Sequence, residues 1–401
     1  MPACARIKVA GADQFILLLL SSVKCGMGWG WSVRPGDPGY NQHGDLRPGG
    51  KLGIERKMMS PSSSFKKHVL VTGGAGFIAS HMVIAFVKQY PDHLVINLDK
   101  LDYCASLKNL EAIAEEPNYK FIQGDICDAH FMKLLFETEN IDIVLHYAAQ
   151  THVDISFSHS SEFTNTNVYG TQVLVNAAYE ANVQKFIYMS TDEVYGGSLD
   201  EEFDEMSPSR PTNPYASSKA AAERCVLSYW EKYKFPVVIT RSCNIYGPHQ
   251  FPAKVIPKFI SLLHRDKKCC IHGSGLQIRN FLYATDVVEA FFAVLKDGKP
   301  GEIYNIGTDF EISVRQIAKE LIRLIKKINS DSEAEEWVEF VKDRPSHDAK
   351  YPMKLEKIHQ LGWRPKVAWE DGLKKTIEWY SEYFHNWNNA ENGLEAFPLP
   401  Q

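Results

Sequence analysis

The stretch Val71-Thr-Gly73-Gly-Ala-Gly76-Phe-Ile-Ala79 decides the fold. It follows the apolar run His68–Thr72. It opens a segment, Phe77 to Tyr90, whose apolar residues recur at helical spacing until Pro91. Gly73 permits a tight turn, Gly76 lets the backbone approach a pyrophosphate, and the small Ala79 lets the helix pack closely on the strand. The helix start at Phe77 and Ile78 offers unpaired N–H groups and positive partial charge to that anion. A second apolar run, Leu94–Leu98, ends at Asp99, 23 residues after Gly76. Its carboxylate is placed to bind a ribose diol and to repel a 2′-phosphate, so NAD is expected in preference to NADP, with Lys100 acting in the opposite sense.

The alternation continues outward from this loop. Tyr119–Ile122, Ile141–Leu145, Lys185–Met189 and Pro236–Ile239 are short apolar runs separated by helical stretches. Apolar strands alternating with helices predict an α/β fold, a doubly wound parallel sheet of Rossmann type covered on both faces. Asp125-Ile126, after the third strand, suits contact with the adenine, and Ala148-Ala149, after the fourth, lines the cofactor groove. Ser313 and Gln316 form a capping box that starts a helix with the buried stripe Val314, Ile317, Ala318, Leu321, Ile325 and Ile328. Tyr283 to Leu295 reads as a helix that returns the chain to the sheet.

Composition bounds the rest. The chain has 401 residues, a formal net charge of −5 and 44% hydrophobic residues, which excludes a wholly disordered chain. The mild acidity (pI about 6.3) argues against bulk binding to nucleic acid or an anionic membrane. No apolar run is long enough to span a bilayer. The eight cysteines form no C-x-x-C pair, so neither a zinc ribbon nor another metal site is expected, and free thiols in the cytoplasm are the default. Residues 1–65 stand apart, with ten of the 26 glycines and five of the 20 prolines falling before Phe65. They read as an extension outside the fold. The run Phe15–Leu20 behind Arg6 and Lys8 has a faint signal-peptide character, which Asp13 and Lys24 weaken. The expected organisation is this extension, a cofactor domain over 66–244, a mainly substrate-binding domain over 245–390 with some chain crossing back, and a tail over 391–401.

Two constellations carry chemistry. Tyr215-Ala-Ser-Ser-Lys219 puts a phenol and an ammonium on one helix face. A free phenol, with a pKa near ~10, is a poor base at neutral pH, and a neighbouring cation favours phenolate. Alone this spacing arises often by chance; behind a dinucleotide loop it reads as an alcohol-oxidising pair. Met189-Ser-Thr-Asp-Glu-Val-Tyr-Gly196 follows a strand, so it lies at the carboxyl end of the sheet, where α/β sites form. Thr191 is placed to hold a reacting hydroxyl. Asp192 and Glu193 exceed what simple dehydrogenation needs, although an isolated acidic pair is most often a surface turn. They suit elimination, one carboxylic acid protonating a leaving hydroxyl and one carboxylate taking a carbon-bound proton.

From about Lys67 to Tyr380 the chain resembles the dTDP-glucose 4,6-dehydratases, members of the extended short-chain dehydrogenase/reductases. The resemblance runs through Thr72–Ile78, Asp99–Tyr103, Gly124–Ile126, Ala148–Asp154, Ser190–Gly196, Tyr215–Lys219, Arg241–Pro248, Gly275–Arg279, Tyr304–Gly307 and Asp343–Asp348. It implies oxidation of a nucleotide-bound glucose at C4 with Tyr215 as base, loss of water across C5 and C6 with Glu193 taking the C5 proton and Asp192 protonating the C6 hydroxyl, and hydride return to C6. It also implies a tightly held NAD, with Lys219 on the nicotinamide ribose and Thr166 near the cofactor, and a homodimer. Thr151 is expected near the sugar, and Asn244, Lys254, Arg279, Asn305, Arg344 and His347 around the nucleotide diphosphate.

The chain departs from the family pattern at Ile245, Cys243, Asp102 and Asn280, which touches cofactor affinity and nucleotide preference rather than the acid–base set. Asp99–Cys104 and Ala148–His152 also resemble the UDP-glucose 4,6-dehydratase part of plant rhamnose synthases, so thymine and uracil both remain open. A UDP-sugar 4-epimerase and a non-catalytic NAD-binding protein are the alternatives. Epimerases usually lack both carboxylates, and a non-catalytic protein has no use for the intact Thr/Asp/Glu/Tyr/Lys set.

Overall fold

The computed structural model describes residues 65–343 and 348–396. The extension before Phe65, Arg344, His347 and the last five residues lie outside the described residues. Twelve strands occur among the described residues. In chain order they are β1 (Lys67–Thr72), β2 (His93–Asp99), β3 (Tyr119–Gln123), β4 (Ile143–His146), β5 (Lys185–Thr191), β6 (Val237–Ser242), β7 (Asn244–Tyr246), β8 (Cys269–His272), β9 (Ile278–Tyr283), β10 (Ile303–Ile306), β11 (Glu311–Ser313) and β12 (Val338–Val341).

Seven strands form one sheet in the order β10-β6-β5-β4-β1-β2-β3, every pairing parallel. Strand order reverses between β1 and β4, and ligands of such sheets bind outside the carboxyl ends at that point. The register brings those ends level: Thr72 pairs with Leu98 and His146, and Thr191 with Ser242. The strands are nearly all apolar because helices cover both faces. One face holds Val69, Val71 and Leu145 against Phe86 and Phe291, and the other holds Leu70, Ile96 and Phe186 against Leu135 and Leu174. The helix Ala284–Asp297 packs on the helix Phe77–Gln89, with Phe86 and Phe292 5.6 Å apart, and leads into β10 at the sheet edge. β10 thus joins the seven-stranded sheet beside β6.

The later segments build a second core. β11, β9 and β7 form a three-stranded sheet and β12 pairs with β8. Phe259, Ile260 and Leu263 of the helix Val255–His264 pack there against Ile317 and Leu321. The helix Val314–Lys326 starts with the Ser313 hydroxyl accepting from Gln316 N–H at 3.2 Å. The Gln316 side chain turns to Glu320 instead of completing the box. Ile322, absent from the sequence stripe, is fully buried, whereas Ile328 lies beyond the left-handed Lys327 that ends the helix.

Two boundaries differ from the sequence reading for physical reasons. β5 and β6 run on into polar residues, because Ser190 and Thr191 pair with Arg241 and Ser242. The expected tail is packed as far as it is described: Leu394 is buried, and Lys258 donates to the Glu395 carbonyl at 2.7 Å.

Candidate active site

A groove of about 1580 Å³, its open mouth included, runs along the carboxyl ends of the sheet. At one end Gly73 adopts φ +72°, and a Cβ there would lie 2.9 Å from both Cα and N of Ala148. Only glycine fits this turn. Gly76 N–H donates to the Gly73 carbonyl at 3.0 Å, and no side chain caps the helix that begins at Phe77. Its first-turn N–H groups are left for an anion. Asp99 is buried and accepts from Ala75 N–H at 3.0 Å and Leu101 N–H at 2.7 Å. Burial pushes its carboxyl up, against those two backbone bonds. Lys100, Asp125, Ile126, Ala148, Ala149 and Thr166 line the same stretch. Lys100 forms an ion pair with Asp102 at 2.9 Å, and Asp102 also accepts from Gln150 at 2.7 Å. The Lys100 charge is thus met by a carboxylate on its own loop, which weakens its pull on a 2′-phosphate. The glycine cradle, uncapped helix and acid fit an NAD-type dinucleotide.

Further along, the groove is lined by Thr191, Asp192, Glu193, Tyr215 and Lys219 together. Thr191 is the last residue of β5, and Asp192–Tyr195 form a single tight helical turn. That turn gives two adjacent carboxyls different surroundings. Asp192 is 3% exposed and accepts from the Thr191 hydroxyl at 3.1 Å. Burial, and secondly the charge of Glu193, push its carboxyl up to about 8. Glu193 is half-buried and accepts from the Asn213 amide at 2.8 Å.

Tyr215 and Lys219 lie on the helix Pro214–Tyr233. Burial, then the charge of Glu193, push the Tyr215 phenol above its ordinary value, and the neighbouring Thr191 hydroxyl acts in the opposite sense. The expected lowering of the phenol by Lys219 does not dominate. Burial instead brings Lys219 down to about 7, and its ammonium donates to the Met189 carbonyl at 2.5 Å and sits 4.3 Å over the Tyr188 ring.

Thr151, Asn244 and Lys254 line the groove, and Lys254 donates to the Thr151 carbonyl at 2.8 Å. Cys243 and Ile245, two of the departures, line it as well. Arg279 is outside the lining. It donates to the Ile278 carbonyl at 2.7 Å and stacks on Tyr351 at 4.8 Å, yet its charge reaches Asp192. Asn305 corrects the sequence reading. It is fully buried in β10, accepts from the Tyr195 hydroxyl at 2.7 Å and donates to the Phe203 and Lys354 carbonyls, so it does not reach the groove.

Two asparagines escaped the sequence reading. Asn167 clasps the backbone of Gln150, accepting from its N–H at 2.7 Å and donating to its carbonyl at 3.0 Å, and also donates to Ser218 at 2.9 Å. Asn213 holds Glu193. Its place before Pro214 is a legible helix start, but its reach to a residue 20 positions earlier is not.

The model of the GDP-mannose 4,6 dehydratase family matches residues 70–376. A bovine dTDP-D-glucose 4,6-dehydratase is 74% identical over 341 residues, covering 85% of this chain and 96% of that protein. The human dTDP-D-glucose 4,6-dehydratase is 75% identical over 335 residues, covering 84% and 96%. The dTDP-glucose 4,6-dehydratase DesIV of Streptomyces venezuelae, solved with NAD bound, is 38% identical, with a TM-score of 0.76 over 80% of this chain and 99% of that one. With these relatives and this groove, the chain belongs to the nucleotide-sugar 4,6-dehydratase family, alongside the dTDP-D-glucose 4,6-dehydratases.

Proposed function

We propose that this protein converts dTDP-glucose to its 4-keto-6-deoxy derivative with loss of water, using NAD as a retained cofactor. The observation that carries the reading is a buried acid next to a half-buried carboxylate, in the groove that Tyr215 and Lys219 face. Gly73, Gly76, Phe77, Ile78 and Asp99 would hold the cofactor's pyrophosphate and ribose, with Asp125, Ile126, Ala148, Ala149 and Thr166 around its remainder. Bound NAD supplies the temporary oxidation of C4 that makes the C5 hydrogen acidic.

The chain's own groups manage the protons. Tyr215 takes the proton of the C4 hydroxyl as phenolate, a form that its burial opposes and that the cations of Lys219 and of a bound nicotinamide would favour, while the Thr191 hydroxyl donates to Asp192. Lys219, balanced near neutrality, sits one helical turn from Tyr215. Glu193 removes the C5 proton. Asp192, still protonated at neutral pH because of its burial, gives its proton to the C6 hydroxyl as that leaves as water. Separated affinities in two adjacent carboxyls are what the division of labour demands. Thr151, Asn244 and Lys254, with Arg279 at the margin and Arg344 and His347 from the segment outside the described residues, would grip the sugar and diphosphate. In this reading residues 66–244 serve mainly the cofactor and 245–390 mainly the sugar nucleotide.

The protein is further read as a cytoplasmic homodimer. The free state of Cys104, Cys127, Cys225, Cys243, Cys269 and Cys270 supports a reducing compartment. Incubation of the purified protein with dTDP-glucose and, separately, UDP-glucose tests the activity. Mass spectrometry should find a product one water lighter from dTDP-glucose. Such a product from UDP-glucose alone would move the reading to uridine nucleotides, and none from either would remove it.

A further inference from the structure

Asn213 joins the two segments that carry the acid–base groups. It stands immediately before the helix that bears Tyr215 and Lys219, and its side chain is 7% exposed. Both ends of its amide are used. Oδ1 accepts from Ala216 N–H at 2.8 Å and caps the helix. Nδ2 donates to Oε2 of Glu193 at 2.8 Å. Capping needs only the oxygen, and serine or aspartate would serve as well. The nitrogen does something a cap does not: it ties a carboxylate on the turn after β5 to the helix that presents the phenol. An N–H donor favours a carboxylate over a carboxylic acid and fixes its orientation.

We propose that Asn213 is a positioning residue for the elimination step, holding the Glu193 carboxylate aimed at C5 by means of its amide nitrogen. This rests on the dehydratase reading above. In that step the C5–H bond breaks and its proton goes to Glu193. The electron pair forms the C5–C6 double bond, and the C6 oxygen departs with the proton of Asp192 as water. No other reactant is needed. Oxidation at C4 uses Tyr215 and not Glu193, so a fault at Asn213 should stall the enzyme between the two steps.

Asn213→Ser and Asn213→Asp keep a capping oxygen and remove the amide donor; the aspartate also places a like charge beside Glu193. Each is compared with the wild type for melting temperature, for dTDP binding by calorimetry, and on mixing with dTDP-glucose for product and for the near-ultraviolet absorbance of reduced nicotinamide. Melting and dTDP binding should stay near wild type. Turnover should fall about 10- to 100-fold, the scale of one hydrogen bond to a charged group. The absorbance, transient in the wild type, should persist. Turnover at the wild-type rate in Asn213→Ser, or loss of turnover without that absorbance, would overturn the proposal. A wild-type protein that makes no keto product from dTDP-glucose would instead overturn the underlying reading, before the variants are compared.

Discussion

Asp192 and Glu193 share a peptide bond and differ in solvation: the first is 3% exposed with a carboxyl pushed up to about 8, while the second is half-buried and bonded to an amide N–H. The tight turn after β5 produces the difference, sending one side chain into the protein and the other toward the N-terminus of the Tyr215 helix.

That difference sets a pH dependence. Asp192 acts as an acid only while protonated, so turnover should fall about tenfold per pH unit above pH ~8. Stability carries the same sign. Between the ordinary value of 3.8 and about 8, the folded chain holds a proton that the unfolded chain has released. Raising the pH across that window therefore removes stability. Chemical denaturation at about pH 5 and about pH 7 should show this slope in the wild type and a flatter one in Asp192→Asn.

Gly73→Ala tests the phosphate turn. A side chain there meets the backbone of Ala148 at 2.9 Å with φ at +72°. The strained backbone should cost about 1–3 kcal/mol. The displaced loop should also release the cofactor, so the purified variant should contain less NAD than the wild type by chromatography of the denatured protein.

Glu223→Gln tests a buried ion pair behind the site. Arg241 donates to both oxygens of Glu223, at 3.0 and 2.6 Å, and both side chains are almost fully buried. Removing one partner should destabilise by about 3–5 kcal/mol. Replacing both partners by apolar residues, Glu223→Leu together with Arg241→Met, should recover much of the loss. Urea midpoints of the single and double variants measure both.

The parts of the fold most legible in the sequence are those with a local signature. The Gly73–Ala79 loop needs its residue types for reasons within a few positions, and the apolar strands announce a sheet buried on both faces. The Thr191–Glu193 triplet is legible because polar residues follow an apolar strand. What stays hidden depends on distance. Nothing near Tyr304–Gly307 says that Asn305 spends its amide on Tyr195, Phe203 and Lys354, and nothing near Asn213 says that it reaches Glu193. The Tyr215–Lys219 spacing points to a lowered phenol, but local spacing carries no information about burial, which is the stronger effect on both groups.

The central claim is that Asp192 delivers the proton that lets water leave. Its most direct test is mass spectrometry of the sugar nucleotide formed when Asp192→Asn is mixed with dTDP-glucose, with folding checked by circular dichroism. Loss of a general acid should slow dehydration by about 100- to 10,000-fold. A species two hydrogens lighter than substrate, the 4-ketone, should build up in place of the species one water lighter. Formation of the dehydrated product at the wild-type rate would contradict the claim.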